Sequence, residues 1–205
     1  MSYSQIGQDL AVLEFYNHKT DGYFIEIGAS NGIVFSNTYL LETKYNWKGI
    51  CAEPIPKQFK ELIKNRPNSI CSDKALYNKS ELTIQFDIAG GCDLISGISE
   101  HVTGKWKTKV DSNKITIDVE TITLNDLLDS ANAPTFIDYL SLDTEGTELE
   151  ILKSVDFNKY KFGLIDVEHN HIEPKRTEIK EYLLSNGYVY LRQNKWDDCY
   201  KHSSL

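Results

Sequence analysis

The stretch "GYFIEIGASNG", residues 22–32, sets four large apolar side chains around one carboxylate, Glu26, and then opens into Gly28, Ala29, Ser30, Asn31 and Gly32. A near-continuous apolar run of this kind reads as a strand covered on both faces. The small residues behind it read as a turn at the strand's carboxyl end, where a ligand can approach. Downstream, "SNTYLLETKYN" (36–46) predicts a helix with Ser36 or Asn37 as its N-cap, and "KGICAEP" (48–54) a second strand stopped by Pro54. Pro56 opens a helix over "KQFKELIKN" (57–65), and "NSICSDKALY" (68–77) is a third strand leaving into a loop at Ser72-Asp73. Strand, helix, strand, helix, strand is half of a doubly wound α/β fold with parallel strands and right-handed crossovers.

The middle of the chain follows another period. "ELTIQFDIAG" (81–90) and "KITIDVETITL" (114–124) alternate apolar and polar residues, which predicts half-exposed, antiparallel strands. Between them a lid is expected at about 92–112, carrying His101 and Trp106, so that the whole of 81–124 is an insertion. The core pattern then returns. "TLNDLLDS" (123–130) is a helix capped by Thr123, "TFIDYLSLD" (135–143) the fourth core strand and "GTELEILKSV" (146–155) its helix. "KFGLIDVEHNH" (161–171) is the fifth strand, "RTEIKEYLLSN" (176–186) a helix, and "YVYLRQ…WDDCYKH" a closing hairpin. With a short amphipathic helix in "MSYSQIGQDLAVLEFY", the reading is a single domain over 1–205.

Forty per cent hydrophobic residues without a biased tract indicate a folded chain, and a formal net charge of −8 disfavours nucleic acid and anionic lipid as partners. An uncharged or cationic substrate fits that balance. Cys51, Cys71, Cys92 and Cys199 form no C-x-x-C pair, so neither a zinc site nor a disulfide framework is signalled. No apolar run approaches the roughly 18 residues that span a bilayer, and the N-terminus lacks the pattern of a signal peptide; a cytoplasmic protein is expected.

In an open parallel sheet, ligands lie beyond the carboxyl ends of the strands. Those ends carry Glu26-x-Gly28-Ala29-Ser30-Asn31, then Glu53-Pro54, Asp73-Lys74-Ala75, Asp143-Thr144-Glu145 and Glu168-His169-Asn170-His171. An acidic residue at the end of the second strand, Glu53, is placed to accept from ribose hydroxyls. The G-x-G-x-x-G of a dinucleotide site and the G-K-[ST] of a triphosphate site are both missing. Glu26 would oppose a pyrophosphate but favour the ammonium and sulfonium of S-adenosylmethionine. A carboxylate that merely caps local backbone amides is the plain alternative for Glu26. Asp143, with Glu145 beside it, or His169 could take a proton from an acceptor hydroxyl. If that step is metal-assisted, Asp143, Glu168 and His169 would hold a magnesium or manganese ion.

"YFIEIGASNGIVFSNTYLLE", "WKGICAEPIPKQFKEL", "LSLDTEGTELEIL" and "IDVEHN" together resemble the FkbM-type methyltransferases, a branch of the class I S-adenosylmethionine-dependent enzymes. The resemblance implies a Rossmann-like, mostly parallel seven-stranded sheet with a reversed terminal strand, and O-methylation of hydroxyl groups, commonly on sugars or polyketide-type products. Carried over by position, it implies that Gly28, Ala29 and Asn31 line the methionine part of the cofactor and that Glu26 orients its amino group. Ser36, Asn37 and Thr38 extend that turn, Glu53 with Pro54 takes the ribose, Asp73, Lys74 and Ala75 flank the adenine, and Gln5 closes over the cofactor. The expected function is methyl transfer to a hydroxyl of a small-molecule or oligosaccharide acceptor. A catalytically silent nucleoside-binding module and an NAD-dependent sugar oxidoreductase are the alternatives.

Overall fold

The computed structural model describes residues 1–89, 96–100 and 113–205. In chain order its strands are β1 (Tyr23–Ile27), β2 (Lys48–Ala52), β3 (Ile70–Ser72), β4 (Ala75–Leu76), β5 (Thr83–Ala89), β6 (Gly97–Ile98), β7 (Lys114–Ile122), β8 (Phe136–Leu142), β9 (Lys161–Glu168), β10 (Tyr188–Asn194) and β11 (Asp197–His202). The helices among the described residues are α1 (Gln8–Phe15), α2 (Tyr39–Tyr45), α3 (Pro56–Asn65), α4 (Leu124–Ser130), α5 (Glu148–Lys153) and α6 (Lys175–Ser185).

Seven strands form one sheet in the order β10-β11-β9-β8-β1-β2-β3. Its pairings are parallel except at β11, which runs antiparallel to both neighbours. This is the expected Rossmann-like frame with one reversed strand. The unbroken apolar runs have a simple cause: successive side chains serve opposite layers, and both layers are helical. Ile25, Ile27, Ile50, Leu142 and Ile165 pack with Leu128 of α4, Ile151 of α5 and Leu183 of α6. Phe24, Cys51, Tyr139 and Leu164 pack with Leu13 of α1, Leu41 of α2 and Leu62 of α3.

The inserted segment, joined by β4, builds a second sheet, four-stranded among the described residues, in the order β4-β7-β5-β6. As the alternating pattern predicts, β5 and β7 are antiparallel, in register from Thr83↔Glu120 to Ala89↔Lys114. Its apolar face gathers Ala75, Phe86, Ile98 and Val119 around Ile55, which follows β2.

Three expectations are corrected. The strand foreseen over 68–77 is two strands: β3 stays in the large sheet, whereas β4 leaves it to pair with Thr121 and Ile122 of β7. The break falls at Asp73 and Lys74, where the Lys74 amide donates to the Ser72 hydroxyl at 3.3 Å. The helix foreseen from residue 36 begins at Tyr39, because Ser36, Asn37 and Thr38 are engaged with Glu26 instead. The helix foreseen from residue 146 begins at Glu148, whose carboxylate accepts from the amides of Thr144 (3.1 Å) and Gly146 (2.9 Å). Thr123 caps α4 as expected, accepting from the Asp126 amide at 3.1 Å. The lid expected at about 92–112 lies outside the described residues, except for residues 96–100. Among the described residues, no helix is long and apolar enough to cross a membrane.

Candidate active site

A cavity of about 460 Å³ opens where the carboxyl ends of β1, β2, β8 and β9 face the small sheet. One wall is the turn after β1, with Gly28, Ala29, Ser30, Ser36 and Asn37; the opposite wall is apolar, with Ile55, Leu76, Phe86 and Ile98. Gly28 has φ +83, and a Cβ there would overlap the Asp143 carbonyl oxygen, so only glycine lets the ends of β1 and β8 meet this closely. The amides of Gly28 and Ala29 both donate to the Ala52 carbonyl at 3.0 Å, which anchors the turn to β2.

Glu53 lines the cavity at the end of β2 and is 5% exposed. Its carboxylate accepts from the Ser30 amide at 2.9 Å and the Ile55 amide at 2.8 Å, tying together the loops after β1 and β2. Pro54, Lys74 and Ala75 continue that rim, and Lys74 pairs with Glu120. Gln5 lines the far edge, on an N-terminal segment held by Asp9, which accepts from Ser2, the Tyr3 amide and Ser4 at 2.6–2.8 Å.

Four residues assigned to the cofactor from sequence do not line the cavity: Glu26, Asn31, Thr38 and Asp73. Glu26 points into the layer of α1 to α3 and is 3% exposed. It accepts from the Ser36 hydroxyl (2.9 Å), the Asn37 amide (2.5 Å), the Thr38 hydroxyl (2.7 Å) and Arg66 (3.2 Å). Asn31 shapes the turn by accepting from the Ile33 and Val34 amides, and Asp73 is exposed. Asn37, by contrast, faces the cavity. Its Nδ2 donates to Ser141 at 2.8 Å, and its buried Oδ1 has no hydrogen-bond partner among the described residues. A buried acceptor without a donor is costly, and a ligand donor would satisfy it.

The acids form a tight group. Oxygens of Asp143, Glu145 and Glu168 all lie within 4.8 Å of one another, and all three residues line the cavity. Burial pushes Asp143 up to about 6, and the charges of Glu148 and Glu26 act in the same sense, while the hydrogen bond from Glu168 opposes them. Glu168 is pushed well above the usual carboxylate range, by burial and by the charge of Asp143. Asn170 donates to Glu145 at 3.2 Å.

His169 stands apart from this group. Its Nδ1 accepts from the His171 amide at 2.9 Å and its Nε2 lies 3.5 Å from Asp198, behind the wall; burial lowers its pKa. The trio of Asp143, Glu168 and His169 therefore does not assemble. The donor type of three carboxylates suits a hard cation, and the three that come together are Asp143, Glu145 and Glu168.

Sequence reasoning missed Gln8, Phe35 and Trp196, which line the cavity, and Asp197 behind it. Asp197 lies opposite Glu168 in the β11–β9 register and accepts from Gln8 at 2.8 Å. Burial, and then the charge of Asp143, push its carboxyl up to about 8.

The profile of the methyltransferase FkbM domain matches residues 26–190. A solved structure described as methyltransferase FkbM from Methylobacillus flagellatus KT aligns with a TM-score of 0.54 at 17% identity, over 89% of this chain and 44% of that one. A precorrin-6y C5,15-methyltransferase from Geobacter metallireducens GS-15 aligns with 0.52 at 13% identity, over 94% and 86%. The METTL16 MTase domain aligns with 0.53 at 14% identity, over 95% and 65%. At these identities the structural likenesses speak for the fold alone, and this chain spans less than half the length of the FkbM structure. No curated protein matches the sequence.

Proposed function

The chain belongs to the methyltransferase FkbM domain family, and from that premise we propose that it transfers a methyl group from S-adenosylmethionine to a hydroxyl of a sugar, a glycan or a glycosylated metabolite. The observation that carries the cofactor reading is the Asn37 Oδ1, a buried acceptor without a donor among the described residues, which stands in the same cavity as the Glu53 carboxylate. An ammonium and ribose hydroxyls are such donors. Asn37 would take the ammonium, Glu53 the ribose, and Ala75 and Leu76 would flank the adenine, with Gly28 and Ala29 keeping the turn low enough to pass. Gln5 and Gln8 would cover the methionine part from the N-terminal segment. When bound, S-adenosylmethionine supplies a methyl group on a sulfonium, activated for displacement by oxygen.

The proton chemistry falls to Asp143. Ionised above about pH 6 and held by protonated Glu168, it is the base for the acceptor hydroxyl. Glu145, fixed by Asn170, and the rings of Phe35 and Trp196 would bind the acceptor; aromatic faces suit the apolar side of a sugar ring. His169 has no part in this reading. Nor does the transfer call on a divalent cation; EDTA should leave turnover unchanged. The cavity carboxylates of Glu53, Asp143 and Glu145 repel anionic acceptors, so neutral or amino sugars fit better than uronates or nucleic acid.

Calorimetric titration with S-adenosylmethionine and, separately, NAD tests the cofactor, and an acceptor panel of mono- and oligosaccharides tests the chemistry. Binding of S-adenosylmethionine alone, with methylated sugar formed, is the expected result. Binding without turnover across the panel would favour a silent nucleoside-binding module, and binding of NAD would overturn the reading.

A further inference from the structure

We infer that Arg66, which lies outside the cavity wall, is the positioning residue for the amino-acid half of the cofactor; the inference rests on the reading of the cavity as an S-adenosylmethionine site. Arg66 follows α3 directly and is 1% exposed. Every nitrogen of its guanidinium donates inward. Nε reaches Glu42 at 2.5 Å, Nη1 reaches Glu26 and Ser36 at 3.2 Å and the Gly32 carbonyl at 3.3 Å, and Nη2 reaches Thr38 at 2.8 Å. The guanidinium lies against the rings of Phe24 and Tyr39, 5.2 and 5.9 Å from their centroids.

These partners bracket the turn between β1 and α2. Gly32 is near its start, Ser36 and Thr38 near its end, and the two acids belong to β1 and α2. The path to the cavity is short: Arg66 holds Glu26, Glu26 accepts from the Asn37 amide at 2.5 Å, and Asn37 presents the unpartnered Oδ1. A planar fork is needed, because a lysine ammonium is a point donor that cannot serve acceptors spread along both ends of the turn. On the nucleoside side, Glu53 is fixed by the amides of Ser30 and Ile55, and Ala75 and Leu76 by pairing with β7. None of those contacts passes through Arg66.

Arg66→Lys should therefore impair one half of the ligand. The probes are S-adenosylhomocysteine, which carries the amino-acid portion, and methylthioadenosine, which lacks it, each titrated calorimetrically into wild type and variant. The variant should bind S-adenosylhomocysteine about tenfold more weakly or worse, since the turn must then be ordered at the ligand's expense, while methylthioadenosine stays within about twofold. KM for the cofactor should rise with kcat at saturation retained. Should Arg66→Lys fail to fold, Glu42→Gln, which weakens the same fork from α2, carries the test with a milder split in the same direction. An equal loss for both probes, or no loss for either, overturns the inference and reduces Arg66 to a structural cation. If wild type binds neither probe, the cofactor reading itself fails, and the inference with it.

Discussion

Replacing Glu168 by Gln and Asp143 by Asn should give opposite results, although the two side chains share one hydrogen bond. With Asp143 raised to about 6 and the proton on Glu168, the ionised fraction of Asp143 is about a tenth at pH 5 and about nine-tenths at pH 7, so kcat/KM of the wild type should climb about tenfold over that interval. Glutamine is the neutral analogue of a protonated glutamic acid and can donate the same bond through its amide. Glu168→Gln should thus keep the acid limb within about half a pH unit and the plateau within about threefold. Asp143→Asn removes the base and should lower the plateau by about a hundredfold or more, with cofactor affinity retained. Initial rates of S-adenosylhomocysteine release, measured across the pH range with saturating and with limiting acceptor, decide the matter. A flat wild-type profile, or a Glu168→Gln variant as inactive as Asp143→Asn, would refute the proton assignment.

Glu53→Ala should weaken S-adenosylmethionine binding by about tenfold or more in a calorimetric titration and lower Tm as well, because the amides of Ser30 and Ile55 lose their acceptor. Gly28→Ala should cost about 1–2 kcal/mol for the left-handed backbone alone, with the overlap on the Asp143 carbonyl added to it; thermal unfolding should show a large loss or no folded protein. Asp197 has a folded pKa raised to about 8, so its contribution to stability is full below the ordinary carboxylate range and is lost as pH rises towards 8. Asp197→Asn keeps an acceptor for Gln8 and should raise Tm relative to wild type at pH 8 to 9, with no gain at pH 4.

What the sequence made legible was what local chemistry decides. Continuous apolar strands announced two covered faces, and Ile25 and Ile27 do face one layer while Phe24 faces the other. Thr123 capped its helix because the cap needs only the next three residues. The split of the strand over 68–77 was hidden, since it depends on β7 arriving more than forty residues later. Strand parity was visible but unused: residues 168 and 169 must face opposite ways, which sends Glu168 to the cavity and His169 to Asp198. The same rule places Glu26 with Phe24, on the side from which Arg66 comes. Nothing in the neighbourhood of Arg66 or Gln8 marks them, because the partners of the Arg66 guanidinium and the Asp197 partner of Gln8 are distant in sequence.

The bond from Gln8 to Asp197 joins positions 189 apart. Asn194 reaches the Ile6 carbonyl beside it, and Ser4 bridges to Phe35. The edge of the cavity is thus a clasp between residues 4–8 and 194–197, and it cannot close before β11 has been synthesised. A ligand seated beneath the clasp would act as a reversible cross-link around a loop of that length, slowing amide exchange at residues 4–8 and 194–198 together, although neither segment's backbone need change its shape.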